Sequence, residues 1–168
     1  GERSLPALLA GLCGIEKLRW IRLLYCYPDK IDESLLQFMQ YNDKIVKYLD
    51  IPIQHADADI LRAMNRSGDP QSLLARIAHI RAVMPDAALR TTLITGFPGE
   101  SEQQFETLCR FVKAARFERL GVFTYSAEED TPAAAMDGQI DEDVKQRRRQ
   151  ILLDIQSGIS AELLDEKR

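Results

Sequence analysis

The sequence predicts an α/β fold, an incomplete (βα) barrel of four parallel strands followed by a long C-terminal helix. Three observations carry that prediction. Four short runs rich in β-formers begin near residues 19, 45, 88 and 119. Helical periodicities fill the gaps between them, and each gap is long enough for a right-handed crossover, so the strands pair in parallel. No glycine-rich dinucleotide fingerprint follows the first strand, which favours a barrel segment over a doubly wound sheet.

Each element has its own signal. Ser4 caps a short helix carrying Leu5, Leu8, Leu9 and Leu12, with Pro6 tolerated in the first turn and Gly14 positioned to end it. The first strand is Arg19 to Tyr25, stopped by Pro28. Asp32 caps a helix with Leu35, Leu36 and Met39 at helical spacing, and the second strand, Ile45 to Ile51, runs into Pro52. Asp57 caps a helix holding Ile60, Leu61 and Met64, and Asp69 with Pro70 opens another whose apolar side is Leu73, Leu74, Ile77 and Ile80. Ala88 to Thr95 is the third strand. Ser101 and Gln104 form a capping box ahead of Phe105, Leu108, Phe111 and Val112, and Leu120 to Tyr125 is the fourth strand. After a polar, alanine-rich loop to Gly138, Asp141 begins the long helix, with Val144, Ile151, Leu152, Ile155 and Ile159 on one side. Arg147, Arg148 and Arg149 inside it read as a solvated helix face or, functionally, as a patch for RNA or a neighbouring domain.

Composition bounds the function. With 168 residues, 45% of them hydrophobic, the chain is large enough to bury one core without disulfide staples, and one domain is the default. Lysine and arginine number 22 against 26 acids, a net charge of −4, so charge gives no support to nucleic-acid contact. Cys13, Cys26 and Cys109 match no metal-ligand spacing and read as reduced thiols of a cytoplasmic protein. No run approaches the roughly 18 apolar residues of a membrane span, and no signal peptide is visible. The chain opens on Gly1 without a methionine and closes on charged Asp165 to Arg168, so it reads as a piece of a longer protein.

In parallel βα architectures the loops after the strands gather on one face, where ligands bind. Here they begin at Cys26, Pro52, Gly96 and Ser126, and all four supply hydrogen-bonding or titratable groups. The Gly96-Phe97-Pro98-Gly99-Glu100 turn reads either as a tight turn or as an anion cradle at a helix N-terminus. His55 reads as a loop histidine satisfied by hydrogen bonds or as an acid, base or ligand, while mid-helix His79 reads as packing or surface. Arg90, inside a strand, either points at the strand-end pocket or pairs with a carboxylate. Glu128, Glu129 and Asp130 read as a solvated loop or as a surface for a basic partner.

Four stretches carry a resemblance. Tyr48-Leu49-Asp50-Ile51-Pro52-Ile53-Gln54-His55, Leu61-Arg62-Ala63-Met64-Asn65-Arg66, Leu89 to Glu100 and Tyr125 to Ala133 closely resemble the radical S-adenosylmethionine methylthiotransferases, over nearly the whole chain. Gln54-His55-Ala56-Asp57 and Glu128-Glu129 resemble the ribosomal-protein aspartate (RimO-like) branch rather than the tRNA-modifying one. That resemblance implies a methylthio transfer to the β-carbon of an aspartate in a small-subunit ribosomal protein. It implies S-adenosylmethionine and two [4Fe–4S] clusters in the full-length parent, with a 5′-deoxyadenosyl radical removing the hydrogen. It also implies that residues 1–168 are the C-terminal part of a six-stranded core domain. An N-terminal auxiliary-cluster domain and the radical-cluster cysteine segment would then lie upstream, and a small β-domain downstream. The cluster's Cys-x-x-x-Cys-x-x-Cys motif does not occur in this sequence, so no metal ligand and no catalytic residue is assigned here, and this segment by itself is expected to be inactive.

By the same resemblance, Asp50 and Gln54 lie near the ribose or amino-acid end of S-adenosylmethionine. Ile94, Thr95 and Gly96 flank its adenine, and Arg90 and Tyr125 face the same region. His55, Glu128 and Glu129 become candidates for reading the protein substrate. Glu100 stands one place later than the glutamate of the usual Gly-x-Ile-x-Gly-x-x-Glu pattern, and Thr92 replaces its first glycine. Glu100 is kept as a substrate-binding candidate. The alternatives are a tRNA adenosine methylthiotransferase, a non-iron phosphate- or sugar-binding βα barrel, and a non-catalytic ribosome-docking module. Open strand edges also make self-association possible.

Overall fold

A computed structural model describes residues 4–166; the outermost charged residues of both termini lie outside the described set. Helix α1 (Leu5–Cys13) starts where the Ser4 hydroxyl accepts the Ala7 amide, and Gly14 closes it in an ordinary right-handed conformation. Strand β1 is only Ile21–Leu23, shorter than its run of β-formers. Its pairing with the next strand is irregular, and Tyr25 turns to a φ of 57°, which takes the backbone out of the extended region. Helix α2 (Glu33–Gln40) is capped by Asp32, β2 is Ile45–Asp50, and α3 (Ala58–Ala63) is capped by Asp57. Helix α4 (Pro70–Val83) begins with a reciprocal capping box between Asp69 and Ser72. Strand β3 (Ala88–Thr95) has the predicted bounds, α5 (Glu102–Ala115) carries the Ser101/Gln104 box, β4 is Arg119–Thr124, and α6 is Glu142–Asp165.

The four strands lie side by side in chain order, β1-β2-β3-β4, all parallel, in an open sheet. Residues along β3 alternate strictly: Leu89, Thr91, Leu93 and Thr95 are buried, while Arg90, Thr92 and Ile94 are half-buried. The buried set packs with Leu36, Met39, Ile80, Phe111 and Leu152 in one apolar cluster between sheet and helices. The opposite face of the sheet is uncovered, and on it Phe123 is 59% exposed. The strand period of two thus sorts side chains into a core set and a set free to line a ligand site.

Helix α6 buries Leu152 and Ile159 and half-buries Val144 and Ile155, as their spacing predicts, but polar residues share that side. Its inward residues are Lys145, Arg148, Leu152, Gln156 and Ile159, whereas Ile151 is exposed. The arginine run is correspondingly divided. Arg147 faces solvent, Arg148 is buried against Glu100, and Arg149 donates through Nε to the Val122 carbonyl. Neither a solvated face nor a basic patch survives, because two of the three guanidiniums are spent inside the fold. His79 is on the surface, paired with Glu33 at 2.8 Å.

Candidate ligand basin

The ends of β2, β3 and β4 and the turn after β1 surround a two-lobed basin. One lobe, of about 310 Å³, is lined by Cys26, Gln54, Arg66, Arg90, Thr92 and Phe123. The other, of about 510 Å³, shares Gln54, Arg66, Thr92 and Phe123 and adds an apolar wall of Met64, Ile94, Phe97 and Tyr125. Of the residues singled out in the sequence, Gln54, Arg90, Ile94 and Tyr125 meet at this rim.

Gln54 is held at that rim by its backbone. It forms an isolated parallel bridge with Leu93, donating its N–H to Thr92 O at 2.9 Å and accepting from the Ile94 N–H at 2.8 Å. Its φ is 72°, a left-handed conformation that costs a non-glycine residue about 1–3 kcal/mol. Tyr25 and Asn65, which also have positive φ, sit at or beside the basin as well. Strain that the surrounding structure enforces at one locus is a mark of a functional site.

Two polar atoms at the basin have no partner: Gln54 Oε1 and the Tyr125 hydroxyl, both buried. An unpaired buried acceptor or hydroxyl carries a desolvation penalty of about 1–3 kcal/mol. The Tyr125 ring meets Phe97 edge-on at 5.4 Å, so apolar surface and an unfilled polar group occupy the same wall. Arg90 does both things the sequence left open. It lines the basin and donates to Asp50 Oδ1 at 2.8 Å, with Asp50 itself nearly inaccessible behind it.

Arg66 was missed. It follows left-handed Asn65 at the end of α3, donates to the Pro52 carbonyl at 2.9 Å, lies over the Tyr27 ring at 4.9 Å and has no carboxylate partner among the described residues. It lines both lobes and the adjoining outer cleft. Its signal was the position just after the helix that follows β2, but one arginine among many carries no sequence mark. Thr92 and Phe123 were missed for the same reason: their inward direction is a property of strand register.

Other candidates lie beneath the basin or away from it. His55 is wholly buried: Nδ1 accepts the Asp57 amide at 3.0 Å, which puts the proton on Nε2, 3.1 Å from Glu100 Oε1. Glu100 Oε2 accepts the Gly96 N–H at 2.6 Å and pairs with Arg148 at 2.7 Å. Thr95 is buried and bonds to the Lys145 carbonyl at 3.3 Å. His55, Glu100, Thr95 and Gly96 therefore frame the floor and offer no surface to a ligand in this structure. The anion-cradle reading of the Gly96–Gly99 turn is overturned, because the Gly96 N–H is taken by Glu100 and the Gly99 N–H by the Gly138 carbonyl. Glu128 and Glu129 are exposed on the loop after β4 and line neither lobe.

Among the described residues no group of three histidine, cysteine or acidic side chains is placed to hold a metal. Burial, with Asp50 nearby, pushes the Cys26 thiol up, and burial pushes Cys109 up to about 11, so both favour the protonated thiol over the thiolate that an iron–sulfur cluster needs. These residues do not fit a cluster. The basin does fit a nucleoside with a charged tail, having an apolar wall, two unpaired polar atoms and two arginines.

The comparisons agree with the fold and the motifs. Residues 2–112 match the model of the radical SAM superfamily. The chain is 52% identical over 162 residues to a ribosomal protein uS12 methylthiotransferase RimO of Lachnoclostridium phytofermentans, covering 96% of this chain and 37% of the relative. It is 48% identical to the protein of the same name from Clostridioides difficile, covering 99% of this chain and 38% of that one. The chain thus spans little more than a third of these relatives' length. The structure of Escherichia coli coproporphyrinogen III oxidase (HemN), described as a radical SAM enzyme, superposes with a TM-score of 0.73 over 93% of this chain at 19% identity. That likeness shows the fold. No described helix is long and apolar enough to cross a membrane. By its sequence match over most of its length, this chain belongs to the radical SAM superfamily.

Proposed function

We propose that this chain is the nucleoside-binding part of a methylthiotransferase that acts on a ribosomal protein of the small subunit, with S-adenosylmethionine as its co-substrate. The observation that carries the reading is the pair of orphaned atoms, Gln54 Oε1 and the Tyr125 hydroxyl, on residues that line the same cavity as an apolar wall. Ile94, Phe97 and Tyr125 offer the flat apolar surface an adenine needs, and Gln54 and Thr92 offer polar groups to a ribose. Arg66, with no carboxylate partner among the described residues, and Arg90 are the groups for the carboxylate of the methionine moiety. Asp50 acts through Arg90.

S-adenosylmethionine, when bound beside a reduced cluster, supplies the radical; this chain's own residues bind and orient it and keep water from its buried side. The cluster ligands belong to segments outside this sequence. The printed names of the relatives favour a ribosomal protein over tRNA as the acceptor, and the chain's negative charge agrees. Glu128 and Glu129, exposed and without ion-pair partners, are the candidates for contact with a basic acceptor protein.

Titrating the chain with S-adenosylhomocysteine, followed by NMR, tests the reading. Saturable shifts of Gln54, Ile94 and Tyr125 are expected, weakened about tenfold by Gln54→Leu or Arg66→Met, the loss of one ligand hydrogen bond or ion contact. Shifts confined to other surfaces, or affinity indifferent to both substitutions, would sink it.

A further inference from the structure

We infer that Lys145, on α6, is the positioning residue that sets the Tyr125 wall of the basin. The inference rests on the nucleoside-basin reading above and extends it to a helix that contributes no residue to either lobe.

The side chain of Lys145 runs inward through a gap that only glycine leaves. A β-carbon on Gly96 would lie 2.2 Å from Lys145 Cγ and 3.0 Å from its Cδ, so the lysine stem occupies the space of the missing side chain. Gly96 also has a φ of 74°, the left-handed region glycine tolerates. The ammonium at the end of that stem donates to the Tyr125 carbonyl at 3.0 Å and lies 5.5 Å from the centre of the Tyr125 ring. One cation thus fixes both the backbone and the ring of the same residue. Glu142, one helical turn earlier, lies 3.4 Å from the ammonium and faces solvent.

The neighbouring contacts hold the lysine in register. One turn further along α6, Arg148 pairs with Glu100, which binds the Gly96 N–H, so the glycine gap and the helix are tied to one carboxylate. The Thr95 hydroxyl donates to the Lys145 carbonyl. A lysine kept this far from water is expensive to bury, and its partners are a single carbonyl, a ring face and one exposed carboxylate. An apolar residue of the same length would fill the gap at lower desolvation cost. What the lysine adds is directional: it holds Tyr125 with its ring edge-on to Phe97 and its hydroxyl in a buried, unpartnered position.

The test compares Lys145→Met, which keeps the stem, with Lys145→Arg, which restores a donor. The readouts are the aromatic NMR signals of Tyr125, the affinity for S-adenosylhomocysteine and the thermal midpoint. Lys145→Met should shift and average the Tyr125 ring signals and weaken S-adenosylhomocysteine about tenfold, with little change in midpoint, and Lys145→Arg should recover the signals. Should Lys145→Met not fold, Lys145→Gln, too short to reach the carbonyl, should give the same ring signature. Unchanged Tyr125 signals in either uncharged variant overturn the proposal, as does a lowered midpoint with ring and affinity intact. The ring signals need no ligand, so a wild-type chain that fails to bind S-adenosylhomocysteine counts against the basin reading alone.

Discussion

Arg148 Nη1 lies 2.7 Å from Glu100 Oε2, and both side chains are almost fully withdrawn from water. The pair joins α6 to the turn after β3. The same carboxylate also meets His55 from the turn after β2, so one residue ties three segments of chain together. Removing one member of such a pair strands the other, at about 3–5 kcal/mol. Glu100→Gln is therefore expected to lower the urea-unfolding free energy by that amount, and the double variant Glu100→Gln/Arg148→Met should recover part of the loss. A double-variant loss equal to the sum of the two single-variant losses would show that no coupling exists.

Tyr125→Phe should separate stability from binding. Its hydroxyl is buried without a partner, so deleting it should raise the stability of the ligand-free chain by about 1 kcal/mol. The same change should weaken S-adenosylhomocysteine several-fold, because the ligand loses its hydrogen bond. Calorimetry with and without ligand reads both signs.

Gly96→Ala should be destabilising by about 1–3 kcal/mol, since the new methyl meets Lys145 Cγ and the backbone must hold a positive φ. A melting curve suffices. Combining it with Lys145→Ala should relieve the steric part of the loss and leave the backbone strain.

Asp32 and Asp69 cap α2 and α4, and amide hydrogen bonds from the first turns, chiefly those of Leu35 and Ser72, hold both carboxyls below the usual aspartate value. Each folded-state value is depressed, so each cap contributes stability above the ordinary aspartate range and loses it as pH falls through the folded value. Stability should therefore decline on acidification below about pH 4. Asp69→Asn, which retains a capping oxygen, should flatten that decline in a pH series of thermal midpoints.

Cys109, with its thiol pushed up to about 11 by burial, should react slowly with iodoacetamide at neutral pH, and faster as pH rises toward that value. Mass spectrometry of the labelled chain over a pH series gives the profile. Rapid labelling of Cys109 at pH 7 would contradict the burial seen here.

The fold was legible because its signals are local. Capping residues at Asp32, Asp57, Asp69 and Ser101 fix helix starts, and the alternating pattern of β3 fixes its bounds. The strand-end basin was legible too, because parallel topology dictates where loops gather. The division of labour within it was not. His55 follows the hydrogen-bonded loop reading rather than the acid, base or ligand one, and its partner is Glu100, which the sequence left as a substrate-binding candidate. Arg66 acquires its place from the turn at Asn65, and Lys145 from a gap at Gly96, contacts between residues far apart in the chain. The apolar side of α6 was legible at Leu152 and Ile159, but the polar Lys145, Arg148 and Gln156 that share it were not, because their burial rests on partners elsewhere in the chain.

Because each strand pairs with the next one in sequence, the sheet grows outward from one edge in the order of synthesis. The Gln54 bridge is available as soon as β3 emerges, but Tyr125 gains its ammonium anchor only after α6 has been made. A ribosome-stalled chain ending before Asp141 would hold three sides of the pocket and leave the fourth slack, so the Tyr125 wall is set only once α6 has been made.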